Sequence, residues 1–149
     1  MIARVSIRPA AAADWPRVIA LLGGAGLPVE DLQPASVAQF LVATDGSAVI
    51  GTVAVERYDA HGLLRSLVVD PAWRGQGVGR GMVAAAEAGA ATARLDSLTL
   101  LTQTATSLFR ALGYAEVPRA AAPLPVQASA EFAHLCPGSS ACLTKNLKT

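Results

Sequence analysis

A glycine-rich turn between an apolar strand and a helix is the feature that most limits how this chain can fold. Residues 62–70, GLLRSLVVD, end in an almost continuous apolar run, which is typical of a strand buried on both faces. Pro71 ends the strand, and RGQGVGRG at 74–81 leads into a helix expected to reach about Arg94. Four glycines at alternate positions weaken a helix start without helping the fold, so the turn is predicted to serve a ligand.

The chemistry of such a turn suits a phosphate or pyrophosphate. Glycines let backbone N–H groups approach an anion without interference from Cβ atoms, and the following helix adds the positive end of its dipole. The nucleotide-kinase pattern GxxxxGK[ST] is absent. The dinucleotide pattern GxGxxG fails too, because positions 80 and 82, where it needs glycine, hold Arg80 and Met82. The turn therefore predicts an anion site outside those two classes, with a ligand-free tight turn as the alternative.

Composition excludes several other classes of protein. The chain has 149 residues, 52% hydrophobic and 15% charged, so a single folded domain over 1–149 is expected. A net charge of +1 argues against a nucleic-acid partner. With no long uncharged apolar run and no secretory signal, we expect a cytoplasmic protein without membrane contact. His134, Cys136 and Cys142 are one ligand short of a structural zinc site, so no metal is expected.

Hydrophobic periodicity predicts a mixed α/β fold with helices on the faces of a sheet. Asp45-Gly46 marks the turn of a hairpin between strands at 40–44 and 47–58. A helix is expected after Asp14, and a short second one at 29–37. The remaining predicted elements are strands at 5–9, 62–70, 98–101, 115–117 and 142–147, and helices after the glycine turn and at 105–112.

Three segments agree with one known set of motifs. The turn has Arg74-x-x-Gly77-x-Gly79 after the strand end LVVDP at 67–71. The chain opens with Ile7-Arg8-Pro9-Ala10 followed by Asp14, and AxxLFxxxGY occupies 105–114. Together these segments resemble the Gcn5-related N-acetyltransferase (GNAT) superfamily over nearly the whole chain. The resemblance implies an α/β fold with a central mixed, mostly antiparallel sheet of about six to seven strands and about four helices.

The resemblance also implies an acetyl-CoA-dependent N-acetyltransferase. In that family the amides of the turn hold the pyrophosphate, and the central strand splays from its neighbour. Its free backbone groups hold the pantetheine arm, and the N–H near Val69 polarises the thioester carbonyl, an established way to lower an acyl-transfer barrier. The residues implied to contact the coenzyme are Leu67, Val68, Val69, Arg74, Gly75, Gln76, Gly77, Val78, Gly79, Arg80, Thr102, Ser107 and Phe109.

Two positions depart from the family pattern. Phe109 stands where a tyrosine usually protonates the leaving thiolate, and phenylalanine has no proton to donate. A thiol has a reference pKa of roughly 8.5, so departure without a dedicated acid is feasible. Tyr58, Thr104 and Ser107 are the substitutes for the acid. Thr102 stands where asparagine is common and can still hydrogen-bond the coenzyme.

A branch of the superfamily is indicated by the segments GLLRSLVVDPAWRGQGVGR, LLTQTATSLFRALGY and SAEFAHLCPGSSACLTKNL, which resemble the arsenic-resistance N-acetyltransferases. That resemblance implies acetylation of the α-amine of arsinothricin-like amino acids. Strand alternation places Arg65 on one face with Leu67 and Val69, where a guanidinium would suit a carboxylate, phosphinate or arsinate. Arg57 would assist, and Glu30 lies in a loop expected over the acceptor site. An ion-paired or solvated arginine is the ordinary alternative.

The attacking amine must lose a proton, and Glu56, Asp59 and His61 are the candidate bases. Glu56 is favoured, acting through water, whereas His61 has a suitable intrinsic pKa but lies in a polar turn. Transfer is expected to be direct, in a ternary complex without an acyl-enzyme. Two other functions stay open: a GNAT enzyme for an ordinary amino acid, polyamine or peptide, and a non-catalytic coenzyme A sensor. A homodimer through the edge strands is also open.

Overall fold

The computed structural model describes residues 5–148, in which seven strands form one sheet in the order β1-β2-β3-β4-β5-β7-β6. The ladder between β4 and β5 is parallel, and those of β1–β2, β2–β3, β5–β7 and β6–β7 are antiparallel. The predicted mixed, mostly antiparallel sheet is confirmed. The strands are β1 (Ser6–Pro9), β2 (Phe40–Thr44), β3 (Val49–Tyr58), β4 (His61–Val69), β5 (Ser97–Thr102), β6 (Ala115–Val117) and β7 (Ala141–Asn146).

Residues 5–148 contain four α-helices: α1 (Trp15–Gly24), α2 (Val78–Thr92), α3 (Thr106–Ala111) and α4 (Leu124–Gln127). The helix expected at 29–37 is instead a 3-10 segment at Pro34–Gln39, because the residue before a proline disfavours the α conformation and Gln33 is extended. A single π-helical turn spans Glu131–Leu135. No helix in the described part of the chain has the length and apolarity needed to cross a bilayer.

Internal contacts divide the chain into two compact units, the first comprising residues up to Val55 together with Ser66–Ala86. In this unit the ring of Trp15 meets that of Phe40 edge-on, with centroids 5.5 Å apart. Its apolar core is formed by Val18, Leu21, Leu22, Phe40, Val42, Val49, Ala54 and Val68. Helix α2 comes close to β3 at Gly51, where an added Cβ would lie 2.9 Å from Sδ of Met82. Glycine therefore sets the spacing between this helix and the sheet.

The second unit comprises Glu56–Arg65 and the residues from Glu87 onward. Here the β4–β5 ladder has only three residue pairs and ends at Leu63 and Thr99. In contrast, β5 pairs with β7 along its whole length. Within this unit, Leu64 and Arg65 therefore have no ladder partner on β5.

A polar cluster around Lys145 fixes the end of α3 to β7. The Lys145 ammonium donates to Oε1 of Glu87 and to the carbonyl of Leu112, both at 2.9 Å. The Tyr114 hydroxyl donates to Oε2 of Glu87 at 3.0 Å, and burial, reinforced by that carboxylate, raises the pKa of Tyr114. Gly113, at φ 96°, ends the helix as its sequence position predicts.

Candidate functional site

Asp70, directly after β4, anchors the start of the glycine-rich turn. Its Oδ1 accepts from the N–H of Ala72 at 3.0 Å, and its Oδ2 lies 2.8 Å from Nη2 of Arg17 on α1. Arg17 also donates through Nε to the carbonyl of Val49 at 3.1 Å, and the Asp70 N–H donates to the carbonyl of Ile50 at 2.7 Å. The chain is therefore tied to α1 and β3 just before the glycines begin.

Two glycines give the turn its shape. Gly75 and Gly77 have φ values of 77° and 83°, in the left-handed region that other residues adopt only with strain. A Cβ atom added to either glycine would meet nothing within 4 Å, so this side of the turn is open. Helix α2 then begins at Val78, and the first bond back into the turn runs from the Gly81 N–H to the carbonyl of Gly77 at 3.1 Å.

Six consecutive backbone N–H groups, from Gly75 to Arg80, donate to no acceptor within residues 5–148. Three of them, at Val78, Gly79 and Arg80, lie in the first turn of α2, where backbone N–H groups have no acceptor within the helix. This turn also carries the positive end of the helix dipole. That turn contains no acidic residue, and the side chains of Arg74 and Arg80 are exposed. Such a row of amides is suited to binding a pyrophosphate. Coenzyme A, which contains one, therefore fits the predicted residues of the turn.

The strand before the turn departs from simple alternation. Ser66 has φ 60°, a left-handed conformation that marks a bulge within a strand. The expected common face of Arg65, Leu67 and Val69 therefore does not hold across Ser66, because a bulge resets the alternation of side chains. Leu67 and Val69 are partly exposed, whereas Arg65 and Val68 are buried. Arg74 donates through Nε to the carbonyl of Val69 at 3.3 Å, which links the strand end to the turn.

Arg65 lies in a buried cluster of charges in the second unit. Its side chain is 0% exposed, with Nη1 3.0 Å from Oε2 of Glu56 and Nε 3.2 Å from Oε2 of Glu131. Tyr58 donates its hydroxyl to Oε1 of Glu56 at 2.8 Å. The expectation that Arg65 offers a positive charge to an anionic substrate is corrected here, because its guanidinium is buried and already paired with two carboxylates. Both Glu56 oxygens accept bonds, and their geometry is thereby fixed.

Glu131 was not identified from the sequence. It lies on the π-helical turn, a feature that often marks functional sites, and it is buried. Burial, reinforced by the charge of Glu131, raises the pKa of the Cys136 thiol to about 11. The available sequence signal was Arg65 on a buried strand, since a buried charge requires counter-charges. No local motif, however, shows which acidic residue would pair with Arg65 in addition to Glu56.

The other residues predicted to lie near the amine substrate differ in burial and in their contacts. Nδ1 of His61 lies 2.8 Å from the hydroxyl oxygen of Ser97, where β4 pairs with β5. Arg57, Asp59 and Glu30 are exposed. Arg57 forms no ion pair within residues 5–148, so its charge stays available at the surface.

The residues expected beside the thiol arm serve partly structural roles. Thr102 Oγ1 accepts from the N–H groups of Ala105 at 3.0 Å and Thr104 at 3.3 Å, and so orders the turn between β5 and α3. Ser107 is exposed on α3. Phe109 is buried and packs edge-on against Tyr114 at 5.4 Å between centroids. The expectation that the Phe109 ring contacts the coenzyme is therefore corrected, because the ring is part of the core.

The structure describes two free cysteines, Cys136 and the buried Cys142. Burial also raises the pKa of Cys142. Within residues 5–148, no group of three or more histidine, cysteine, aspartate or glutamate side chains is arranged to hold a metal ion.

Solved structures share this fold at low sequence identity. N-acetylglutamate synthase from Neisseria gonorrhoeae, complexed with coenzyme A and N-acetyl-glutamate, superposes with a TM-score of 0.85 at 20% identity over 100% of this chain. The chain spans only 36% of that protein. Rv2747 from Mycobacterium tuberculosis, in complex with CoA, has a TM-score of 0.78 at 20% identity, covering 96% of this chain and 99% of its own.

A GNAT-family acetyltransferase from Staphylococcus aureus Mu50 also matches, with a TM-score of 0.76 at 15% identity over 97% of this chain and 100% of its own. No curated protein matches in a comparison of sequences. Residues 36–116 match the family described as acetyltransferase (GNAT) domain, and this segment contains β2 to β5, the glycine-rich turn, α2 and α3. Because the match spans more than half of the 149 residues, the chain belongs to the GNAT acetyltransferase family.

Proposed function

We propose that the chain transfers the acetyl group of acetyl-CoA to the primary amine of a small glutamate-like amino acid, with arsinothricin- and phosphinothricin-like toxic amino acids preferred. The observation that carries the proposal is the row of six amides from Gly75 to Arg80 that donate to no acceptor in the described part of the chain, which is suited to the pyrophosphate of the coenzyme. Acetyl-CoA supplies the activated acyl group. Asp70 and Arg17 hold the turn in place for it.

In this proposal the chain acts through backbone groups and one carboxylate. The N–H groups of Leu67 and Val69, which point to the side of β4 away from β3, stabilise the charge that develops on the carbonyl oxygen. Glu56 takes the proton of the attacking amine through a water molecule, and Tyr58 and Arg65 orient its two oxygens. The new C–N bond forms as the C–S bond breaks. The departing thiolate is protonated by solvent, since the buried Phe109 ring has no proton to give.

The substrate class is supported by two observations. The first is the fold similarity to N-acetylglutamate synthase, whose structure holds N-acetyl-glutamate. The second is the charge of the cluster, in which one arginine faces two glutamates. This acidic excess favours the ammonium end of an amino acid, and the exposed Arg57 is the cation proposed for its carboxylate, phosphinate or arsinate end.

The test is acetyl-CoA consumption, measured as thiol release, against arsinothricin, phosphinothricin, glutamate, spermidine and a short peptide. An amine-free blank corrects for Cys136 and Cys142. Selective turnover of the first two supports the preferred substrates. Turnover of glutamate alone keeps the glutamate-like class and removes the toxic amino acids. Turnover of only spermidine or peptide contradicts the class, and coenzyme binding without any turnover favours a sensor.

A further inference from the structure

One residue of β4 has a strained backbone. Ser66 is 7% exposed and has φ 60°, a conformation that costs free energy for any residue with a side chain. Within a strand such a residue persists only where its surroundings hold it in place. The contacts that hold Ser66 therefore determine the backbone geometry of the residues that follow.

The bounds of the two strands and one hydrogen bond indicate that β4 has one residue more than β3 at this point. The turn between the two strands has two residues, so uninterrupted pairing from that turn would place Asp70 opposite Val49. The Asp70 N–H instead donates to the carbonyl of Ile50 at 2.7 Å. One extra residue in one strand is a β-bulge, and Ser66 is the left-handed residue between the turn and Asp70.

Thr52 on β3 binds this bulge directly. Its side chain is fully buried, and its hydroxyl donates to the carbonyl oxygen of Ser66 at 2.8 Å. The neighbouring Gly51 is closely packed, since an added Cβ would lie 2.9 Å from Sδ of Met82 and 3.3 Å from the carbonyl oxygen of Val68. This part of β3 therefore has little freedom to shift, and the Thr52 hydroxyl is a fixed donor.

We infer that Thr52 is a positioning residue for acetyl transfer, acting through the carbonyl of Ser66. That carbonyl and the N–H of Leu67 belong to one planar trans peptide unit, in which they point in opposite directions. Fixing the carbonyl toward Thr52 therefore directs the Leu67 N–H away from it. The inference rests on the proposed function, in which the N–H groups of Leu67 and Val69 stabilise the reacting carbonyl. Thr52 itself contacts neither reactant.

The first test compares Thr52→Val, which keeps the shape but removes the donor, with Thr52→Ser, which restores it. Thr99→Val is the matched control, since Thr99 is also fully buried and its hydroxyl lies 3.2 Å from that of Thr144. In Thr52→Val we expect kcat to fall about 10- to 100-fold, the usual effect of misplacing a catalytic donor. The KM for acetyl-CoA should change less than about threefold, because the glycine-rich turn is unaltered.

Two further measurements distinguish a loss of catalytic positioning from a general loss of protein stability. Amide hydrogen exchange at Leu67–Val69 should be faster in Thr52→Val than in Thr52→Ser. Adding Ser66→Gly to Thr52→Val should restore about threefold or more of kcat, because glycine adopts the left-handed conformation without strain. Ser66→Gly alone gives the baseline for that comparison.

Wild-type kcat and wild-type exchange in Thr52→Val would overturn the inference. Equal losses of kcat in Thr52→Val and Thr99→Val would overturn it as well. If the wild-type protein acetylates no amine, the proposed function fails instead. The exchange rates of Leu67–Val69 then decide by themselves whether Thr52 holds the bulge.

Discussion

Nε of Arg65 lies 3.2 Å from Oε2 of Glu131, which joins the middle of β4 to the π-helical turn near the end of the chain. Both side chains are almost fully withdrawn from water, and Glu56 is the second partner of the same guanidinium. Three charges are thus buried together. Removing the single positive one would leave two carboxylates facing each other without compensation.

Arg65→Met should therefore lower the free energy of unfolding by about 3–5 kcal/mol, the typical cost of breaking a buried ion pair from one side. Arg57→Met is the matched control, because Arg57 is an exposed arginine on β3 and should change stability by less than about 0.5 kcal/mol. Urea-induced unfolding followed by circular dichroism measures both. A loss below about 1 kcal/mol in Arg65→Met would show that the cluster is not held by its arginine.

Gly77→Ala should weaken binding of coenzyme A about tenfold or more, because alanine at φ 83° is strained by about 1–2 kcal/mol and distorts the row of amides. Gly89→Ala is the control, since Gly89 is an exposed residue of α2 with nothing near its missing Cβ. It should stabilise the protein by about 0.5–1 kcal/mol without changing affinity. Isothermal titration with coenzyme A gives both values, and similar affinities in the two variants would contradict a binding role for the turn.

Glu131→Gln should make Cys136 more reactive toward iodoacetamide at mildly alkaline pH. The carboxylate of Glu131 helps to raise the thiol pKa to about 11, so removing its charge lowers that pKa and increases the reactive thiolate. A fall of about one unit gives about a tenfold faster reaction. Cys142 serves as the internal reference, because Glu131 is not among the causes of its raised pKa. Mass spectrometry of both cysteines over time follows the reaction, and an unchanged ratio of rates argues against the effect.

Stability should decrease at high pH in a way that depends on Tyr114. Because burial raises its pKa in the folded state, the folded chain binds this proton more tightly than the unfolded chain does. The resulting stabilisation is complete below the unfolded pKa of about 10 and is lost as pH rises above it. Urea unfolding between about pH 8 and about pH 11 should show a steeper decline for wild type than for Tyr114→Phe. Parallel declines would rule out Tyr114 as the group responsible.

Local chemistry made much of the fold predictable. Asp45-Gly46 predicted a turn, and the Asp45 carboxylate accepts from the Ala48 N–H at 2.9 Å while Gly46 has φ 112°. Gly113 predicted the end of α3 in the same way. Each of these features depends on residues within a few positions of one another. The shape of the glycine-rich turn belongs with them, because Gly75 and Gly77 adopt the left-handed conformation that glycine favours.

The features that were not predicted depend on contacts between distant segments. A buried Arg65 implies counter-charges, but the sequence contains 11 acidic residues and does not say which of them fold back to β4. The Ser66 bulge could not be predicted either. Serine has no preference for the left-handed region, and Thr52, which holds the bulge, lies on another strand. The residue type of Arg65 and its place on the strand thus suggest a substrate contact, whereas its two partners are set by tertiary structure.

The Lys145 cluster has a consequence for how this protein would tolerate the acetyl donor proposed for it. Thioesters acylate accessible, uncharged lysine amines without any catalyst. The sequence has two lysines, and the ammonium of Lys145 is held by Glu87, the carbonyl of Leu112 and the face of Tyr114. Lys148 has 69% of its side chain exposed, but its ammonium also pairs with Oδ1 of Asp96 at 2.9 Å. Both lysines of the sequence are thus held as ion-paired ammonium groups, so the acetyl-CoA proposed as the acetyl donor would find little uncharged lysine to modify.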